Sequence, residues 1–153
     1  MEWAEVINDP FFKDLPFKIE LNKWGKILMS PASNHHGRLQ FRVGRIIDKN
    51  KKSGEVITEC SIKTSEGVKV ADVAWVSDEF IEKYGFNTPY LVAPEICVEV
   101  VSPSNSKAEM DEKIKLYIEQ GAKEVWLCNQ KGEISYFSKA GAINKSTVVT
   151  GIL

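Results

Sequence analysis

Ile96-Cys97-Val98-Glu99-Val100-Val101 is the stretch on which the fold turns. Apart from Glu99 it is wholly apolar. A strand with one wet face alternates apolar and polar residues, whereas an unbroken β-branched run marks a strand covered on both faces, at the centre of a sheet. Downstream, Ser102-Pro103-Ser104-Asn105-Ser106 supplies breaker and capping residues for a helix from about Lys107 to Gln120, which Gly121 ends. Val125 to Cys128 then reads as a second buried strand. Glu133 to Ser138 and Thr147 to Thr150 have β character broken by Gly and Asn, which predicts a closing hairpin or edge.

Upstream, Glu55 to Thr64 and Val68 to Ser77 are β-rich runs separated by Ser65-Glu66-Gly67, which predicts a hairpin, and a short helix is expected from Asp78 to Tyr84. Ser33 can cap a helix running to about Asp48, with Leu39, Val43, Ile46 and Ile47 at helical spacing. Before it lie a lead-in through Phe11, Phe12 and Pro16 and a second hairpin, Phe17 to Leu21 and Lys26 to Met29, around Asn22-Lys23-Trp24-Gly25. The resulting order α-β-β-β-α-β, with an extra N-terminal hairpin, predicts an α/β (α+β) protein whose mixed central sheet is flanked by helices.

At 153 residues, 43% hydrophobic and 27% charged, the chain is expected to fold as one domain over residues 1–153 without disulfides. A net charge of −1 excludes a strongly basic nucleic-acid binder, so any phosphate contact must use a local patch. No apolar run is long enough for a membrane span and the N-terminus lacks signal-peptide character, so a cytoplasmic location and no membrane partner are expected. Cys60, Cys97 and Cys128 lack metal-ligand spacing and read as buried thiols. Trp24, Trp75 and Trp126 are expected in the core rather than as base-stacking platforms.

Chemistry is signalled by acids in apolar strands. Glu99 interrupts the central strand, and a buried carboxylate must find a cation, a hydrogen-bonded neutral form or a metal. Asp72 repeats the anomaly in Val68 to Val76, where period-two alternation puts Val70, Ala74 and Val76 on its face. On neighbouring strands the two carboxylates would converge, and oxygen donors of this kind suit Mg²⁺ or Mn²⁺. In the following helix Met110, Ile114, Tyr117 and Ile118 form the apolar stripe. Lys113 borders it, either snorkelling or reaching the end of the central strand. His36 and Gln40 flank the apolar side of the first helix, one turn apart, as accessory candidates. Arg38, Arg42, Arg45 and Lys49 form a basic stripe that is either a solvated face or a set of phosphate contacts.

Taken together, Val-Ala-Asp72-Val-Ala, Pro94-Glu-Ile-Cys-Val-Glu99-Val-Val-Ser-Pro-Ser, Lys113-Ile-Lys-Leu-Tyr117, Gly121-Ala-Lys-Glu-Val-Trp126 and Ile27-Leu-Met-Ser-Pro-Ala-Ser with His36 resemble the Uma-type restriction endonuclease family. That family, formerly a domain of unknown function, is placed in the bacterial PD-(D/E)xK nuclease superfamily. The resemblance spans about Phe17 to Phe137. It implies a magnesium-dependent DNA endonuclease, a hydrolase acting on ester bonds, with Asp72, Glu99 and Lys113 as catalytic residues and Asp72 and Glu99 as metal ligands. Ser102 and Ser104 would shape the turn after the strand, while Glu20 and His36 match N-terminal positions without an assigned role. Ala71 replaces the usual proline, and Val101 stands where the superfamily has lysine two residues after the glutamate, so Lys113 must supply that charge. The expected partner is DNA, with a homodimer suited to cutting both strands. The competing expectation is a catalytically silent nuclease-fold module that binds nucleic acid or a protein.

Overall fold

The computed structural model describes residues 1–13, 15 and 17–152; Pro16 of the lead-in lies outside them. The main sheet has six strands in the order β3-β4-β5-β6-β7-β8: β3 Glu55–Thr64, β4 Gly67–Val76, β5 Ile96–Val100, β6 Glu124–Cys128, β7 Ile134–Ser138 and β8 Gly141–Ile143. β5 and β6 run parallel and the other neighbours antiparallel. The sheet is therefore mixed, with helices against it, as expected. Every residue of β5 is buried, in keeping with its apolar run. The parallel β5–β6 pair needs a crossover, and α4, Lys107–Glu119, provides it.

One face of the sheet packs on α2, Asn34–Asn50, through Leu39, Val43 and Ile47 against Val73, Ile96, Val98 and Trp126. The opposite face packs on α4 and on α3, Asp78–Tyr84, through Tyr117 and Phe80 against Ile62, Ala74, Cys97 and Val125. Ser33, Ser77 and Ser106 cap α2, α3 and α4 by accepting the backbone N–H three residues on, at 3.0, 3.0 and 3.1 Å. A separate two-stranded sheet, β1 Phe17–Leu21 with β2 Ile27–Pro31, packs with α1, Trp3–Asn8, on Val68 and Val70 of β4. Gly67 makes this docking possible. Its φ is +93°, and a Cβ there would lie 2.2 Å from the Leu21 carbonyl oxygen.

Several expectations are corrected. Thr147 to Thr150 forms no strand; β7 lies between β6 and its hairpin partner β8. The reason is the buried Glu124 carboxylate, which accepts from Ser146 Oγ, Thr147 N and Thr147 Oγ1 at 2.6, 2.7 and 2.9 Å and ties that segment across the sheet end. Trp75 and Trp126 are buried, but Trp24 is 72% exposed because it occupies the tip of the β1–β2 turn, where no element packs on it; Lys23 Nζ lies 4.7 Å from its ring. The lead-in contains α1, whose short amphipathic turn presents Trp3 and Val6 to the core. Strict alternation also fails at Asp72. Ala71 packs with Ala74 and Val76 on the α4 side, whereas Val70 packs with the β1 hairpin. The β3–β4 ladder pairs Thr58 with Val73 and Cys60 with Ala71 but not the residues between, where Glu59 takes φ +53°. Cys60, Cys97 and Cys128 are buried free thiols. No described helix is long and apolar enough to cross a membrane.

Candidate active site

The break in the β3–β4 ladder leaves the Asp72 carbonyl without its strand partner, and Gln40 of α2 fills the gap. Its Nε2 donates to Asp72 O at 2.9 Å and to Glu59 Oε1 at 3.0 Å. The Asp72 carboxylate, freed from the regular pleat, reaches β5, where Val100 N–H donates to its Oδ2 at 2.7 Å. Its Oδ1 accepts from Lys18 Nζ at 3.1 Å and faces His36 Nε2 at 3.3 Å. Burial would raise the Asp72 pKa, but the His36 hydrogen bond and the Lys18 charge outweigh it and hold the carboxyl well below its ordinary value. The same contact raises His36, against the cost of burial.

Glu99 lies on the other side of β5, toward α4. Its Oε1 accepts from Tyr117 Oη at 2.7 Å and Lys113 Nζ at 3.1 Å, and its Oε2 from Lys18 Nζ at 2.9 Å. Burial dominates here and pushes its pKa up; Lys113 and Lys18 pull it down, while Asp72 and Glu20 add to the rise. Lys113 therefore does reach the central strand from the following helix. Its ammonium is shared with Glu20, whose Oε2 it contacts at 2.9 Å. Val101, at the end of the strand, contributes backbone alone: its N–H donates to Cys128 O at 2.8 Å and its carbonyl accepts from Gln130 Nε2.

In the sequence Glu20 matches only a position without a role, and Lys18 is not singled out. The Glu20 Oε2 also accepts from Val70 N at 2.7 Å, which fastens β1 to β4. Burial would raise the Glu20 pKa, and Lys113 and Lys18 overcome that to lower it. Lys18 is held between Asp72 and Glu99 with its side chain 11% exposed. Despite the cost of burial, three surrounding carboxylates raise its pKa and keep it charged. The only sequence signal was that Lys18 and Glu20 alternate with Phe17, Ile19 and Leu21. That pattern is ordinarily a solvated strand face.

These groups line a cleft of about 160 Å³, walled by the β2 residues Leu28 and Ser30 and by Ser102, Asn105 and Met110. Ser102 shapes the strand exit: its N–H and Oγ both donate to Asn105 Oδ1 at 2.9 Å, and its Oγ lies 2.9 Å from that of Ser104. Gln40 stands behind Asp72 rather than in the cleft. Arg38, Arg42 and Arg45 lie exposed along α2, outside the cleft lining.

Among the described residues no group of three His, Cys, Asp or Glu side chains is arranged to hold a metal ion. The pair Asp72 Oδ1 and Glu99 Oε2 nevertheless converges on one cationic atom, Lys18 Nζ. Magnesium ordinarily takes one or two protein carboxylates and completes its octahedron with water and substrate phosphate. In donor chemistry the pair fits such an ion.

The family described as "Uma2: Putative restriction endonuclease" matches residues 10–150. The chain belongs to this family. Comparison with curated proteins finds no match. Among solved structures, this Uma2 chain is similar to a putative nuclease of the DUF820 family from Anabaena variabilis ATCC 29413, with a TM-score of 0.64 and 18% identity over 85% of this chain and 82% of that one. At that identity the likeness establishes the fold. Asp72, Glu99, Lys113 and His36 of the Uma2 chain thus sit together at the end of β5, inside the matched region.

Proposed function

We propose that this Uma2 protein is a DNA endonuclease that hydrolyses phosphodiester bonds with the help of a divalent cation, Mg²⁺ or Mn²⁺, held by Asp72 and Glu99. The observation that carries the reading is the meeting of Asp72 Oδ1 and Glu99 Oε2 at a single cationic position in a cleft, with Lys113 on the far oxygen of Glu99. A divalent ion at that position would acidify a water molecule and neutralise phosphate charge. The remaining work belongs to the chain. Val100 N–H and His36 fix the Asp72 carboxylate, and Tyr117 fixes that of Glu99. Lys113, steadied by Glu20, presents a positive charge where negative charge develops on the attacked phosphate. Arg38, Arg42 and Arg45 would take flanking phosphates and set the orientation of the duplex. A two-fold pair of copies would bring one site to each strand. The free buried cysteines suit a reducing cytoplasm.

A second reading, a silent nuclease-fold module that binds DNA or a protein, is favoured by Lys18, which occupies the position a cation would need, and by Val101 in place of the superfamily lysine. One experiment separates the two. Supercoiled plasmid is incubated with Mg²⁺ or Mn²⁺ and with wild type, Glu99→Ala or Lys113→Met. Nicked and linear products from wild type, reduced roughly 100-fold or more in either variant, are expected. Equal cleavage by wild type and Glu99→Ala would remove Glu99 from the mechanism, and retention of DNA without cleavage in any lane would establish the silent module.

A further inference from the structure

We infer that Lys18 is an internal stand-in for the metal ion, holding Asp72 and Glu99 together until a nucleic-acid phosphate draws its ammonium away and opens the position between them. The inference rests on the nuclease reading above and adds its regulation.

Two of the four carboxylate oxygens are committed to other partners. Asp72 Oδ2 is taken by Val100 N–H at 2.7 Å, and Glu99 Oε1 by Tyr117 at 2.7 Å and Lys113 at 3.1 Å. Left for a cation are Asp72 Oδ1, which also faces His36, and Glu99 Oε2. Lys18 Nζ contacts both, at 3.1 and 2.9 Å. A magnesium ion bound at about 2.0–2.1 Å from those oxygens would overlap the ammonium, so metal and Lys18 are mutually exclusive there. Lys113 is under no such conflict, since its partners are Glu20 and the other Glu99 oxygen.

Lys18 is also placed to leave. It comes from β1, in the small two-stranded sheet rather than the main one, on a four-carbon stem whose charge can swing without moving backbone. Both Lys18 and the cleft wall from β2 line the same space that a phosphate would enter. Transfer of the ammonium from two carboxylates to a phosphate, with a divalent cation taking its place, keeps every charge paired. Without the phosphate, the metal must evict a buried ammonium that has no incoming anion to receive it. Metal and nucleic acid should therefore bind cooperatively, each strengthening the other by the same factor. A site built this way stays shut to the cation when no DNA is present.

The test measures free Mn²⁺ by electron paramagnetic resonance in titrations of the full chain, with and without a cleavage-resistant phosphorothioate duplex. Wild type is compared with Lys18→Met, Lys18→Arg and Glu99→Ala, and Lys18→Gln serves if the methionine variant does not fold. Groups around a metal's ligands commonly change its affinity by roughly 10- to 100-fold. Without DNA, Lys18→Met is expected to bind Mn²⁺ about tenfold or more tighter than wild type, and Lys18→Arg as weakly as wild type. Adding the duplex should tighten wild type and leave Lys18→Met nearly unchanged. Wild type binding as tightly as Lys18→Met without DNA, with Glu99→Ala abolishing binding, would overturn the role of Lys18 while the metal reading stood. Absence of Mn²⁺ binding in Lys18→Met even with DNA would overturn the metal reading itself.

Discussion

His36 shows how one contact sets both geometry and pH response. Its hydrogen bond to Asp72 raises its pKa above the ordinary 6.5. A histidine raised in the folded state contributes stability that is fully present below its unfolded value and is lost as pH rises through the folded one. Asp72 runs the other way: its contribution is present above the ordinary 3.8 and is lost as pH falls through its depressed folded value. Stability that depends on this pair is therefore greatest between the carboxyl and imidazole ranges. The expected outcome is that the stability gap between wild type and His36→Gln, measured by urea unfolding, is widest in mild acid and narrows as pH rises past the raised histidine value. A gap that stays constant across that range would show that His36 does not carry charge against Asp72. Residues elsewhere in the site have distinct duties of the same kind: Tyr117 satisfies a carboxylate that burial makes costly, and Glu20 joins Lys113 to the edge of β4.

At the level of elements, the site depends on how the β1–β2 hairpin docks on the main sheet. Lys18 and Glu20 reach the cleft only because β1 lies against β4, and Gly67 allows the close approach of their backbones. Gly67→Ala would place a Cβ 2.2 Å from Leu21 O in a backbone conformation that L side chains disfavour. It is expected to cost more than about 1 kcal/mol and to loosen the hairpin. Hydrogen exchange provides the local readout, because Val70 N–H is bonded to Glu20 and should lose protection ahead of the β5 amides. Unchanged protection at Val70 would mean that the hairpin does not need the glycine. The gap in the β3–β4 ladder is a second element-scale device. A regular pleat would hold Asp72 to one face, whereas the irregular step at Glu59, bridged by Gln40, lets its carboxylate meet β5.

For the whole molecule, the net charge of −1 means that long-range attraction to DNA is weak and that binding must come from a local array. Arg38, Arg42 and Arg45 stand exposed on α2. If they meet phosphates, replacing each with Gln should reduce the slope of log affinity against log salt by about 0.9 for every phosphate no longer neutralised. Fluorescence titrations of a duplex across salt concentrations check this, and an unchanged slope in the triple variant would leave the stripe as a solvated face. Much of the architecture could be read from the chain alone. The buried run around Glu99, the serine caps and the apolar spacing of α2 and α4 are local signals, and they specified the central strand, the helices and the mixed sheet. They also singled out Asp72 and Glu99, since an acid in an apolar strand is conspicuous wherever the strand lies, whereas Lys113 was marked by its place beside the apolar stripe of α4 and by the family resemblance. The sequence did not disclose Lys18, because a charged residue on an alternating strand looks the same whether it faces water or a cleft. Nor did it disclose the break at Glu59, the exposure of Trp24 or the capture of Ser146 and Thr147 by Glu124. Periodicity reports which side of an element is polar, but only tertiary packing decides what that side meets. Here packing brought Lys18 and Glu20 of β1, Asp72 of β4, Glu99 of β5 and Lys113 of α4 to one point.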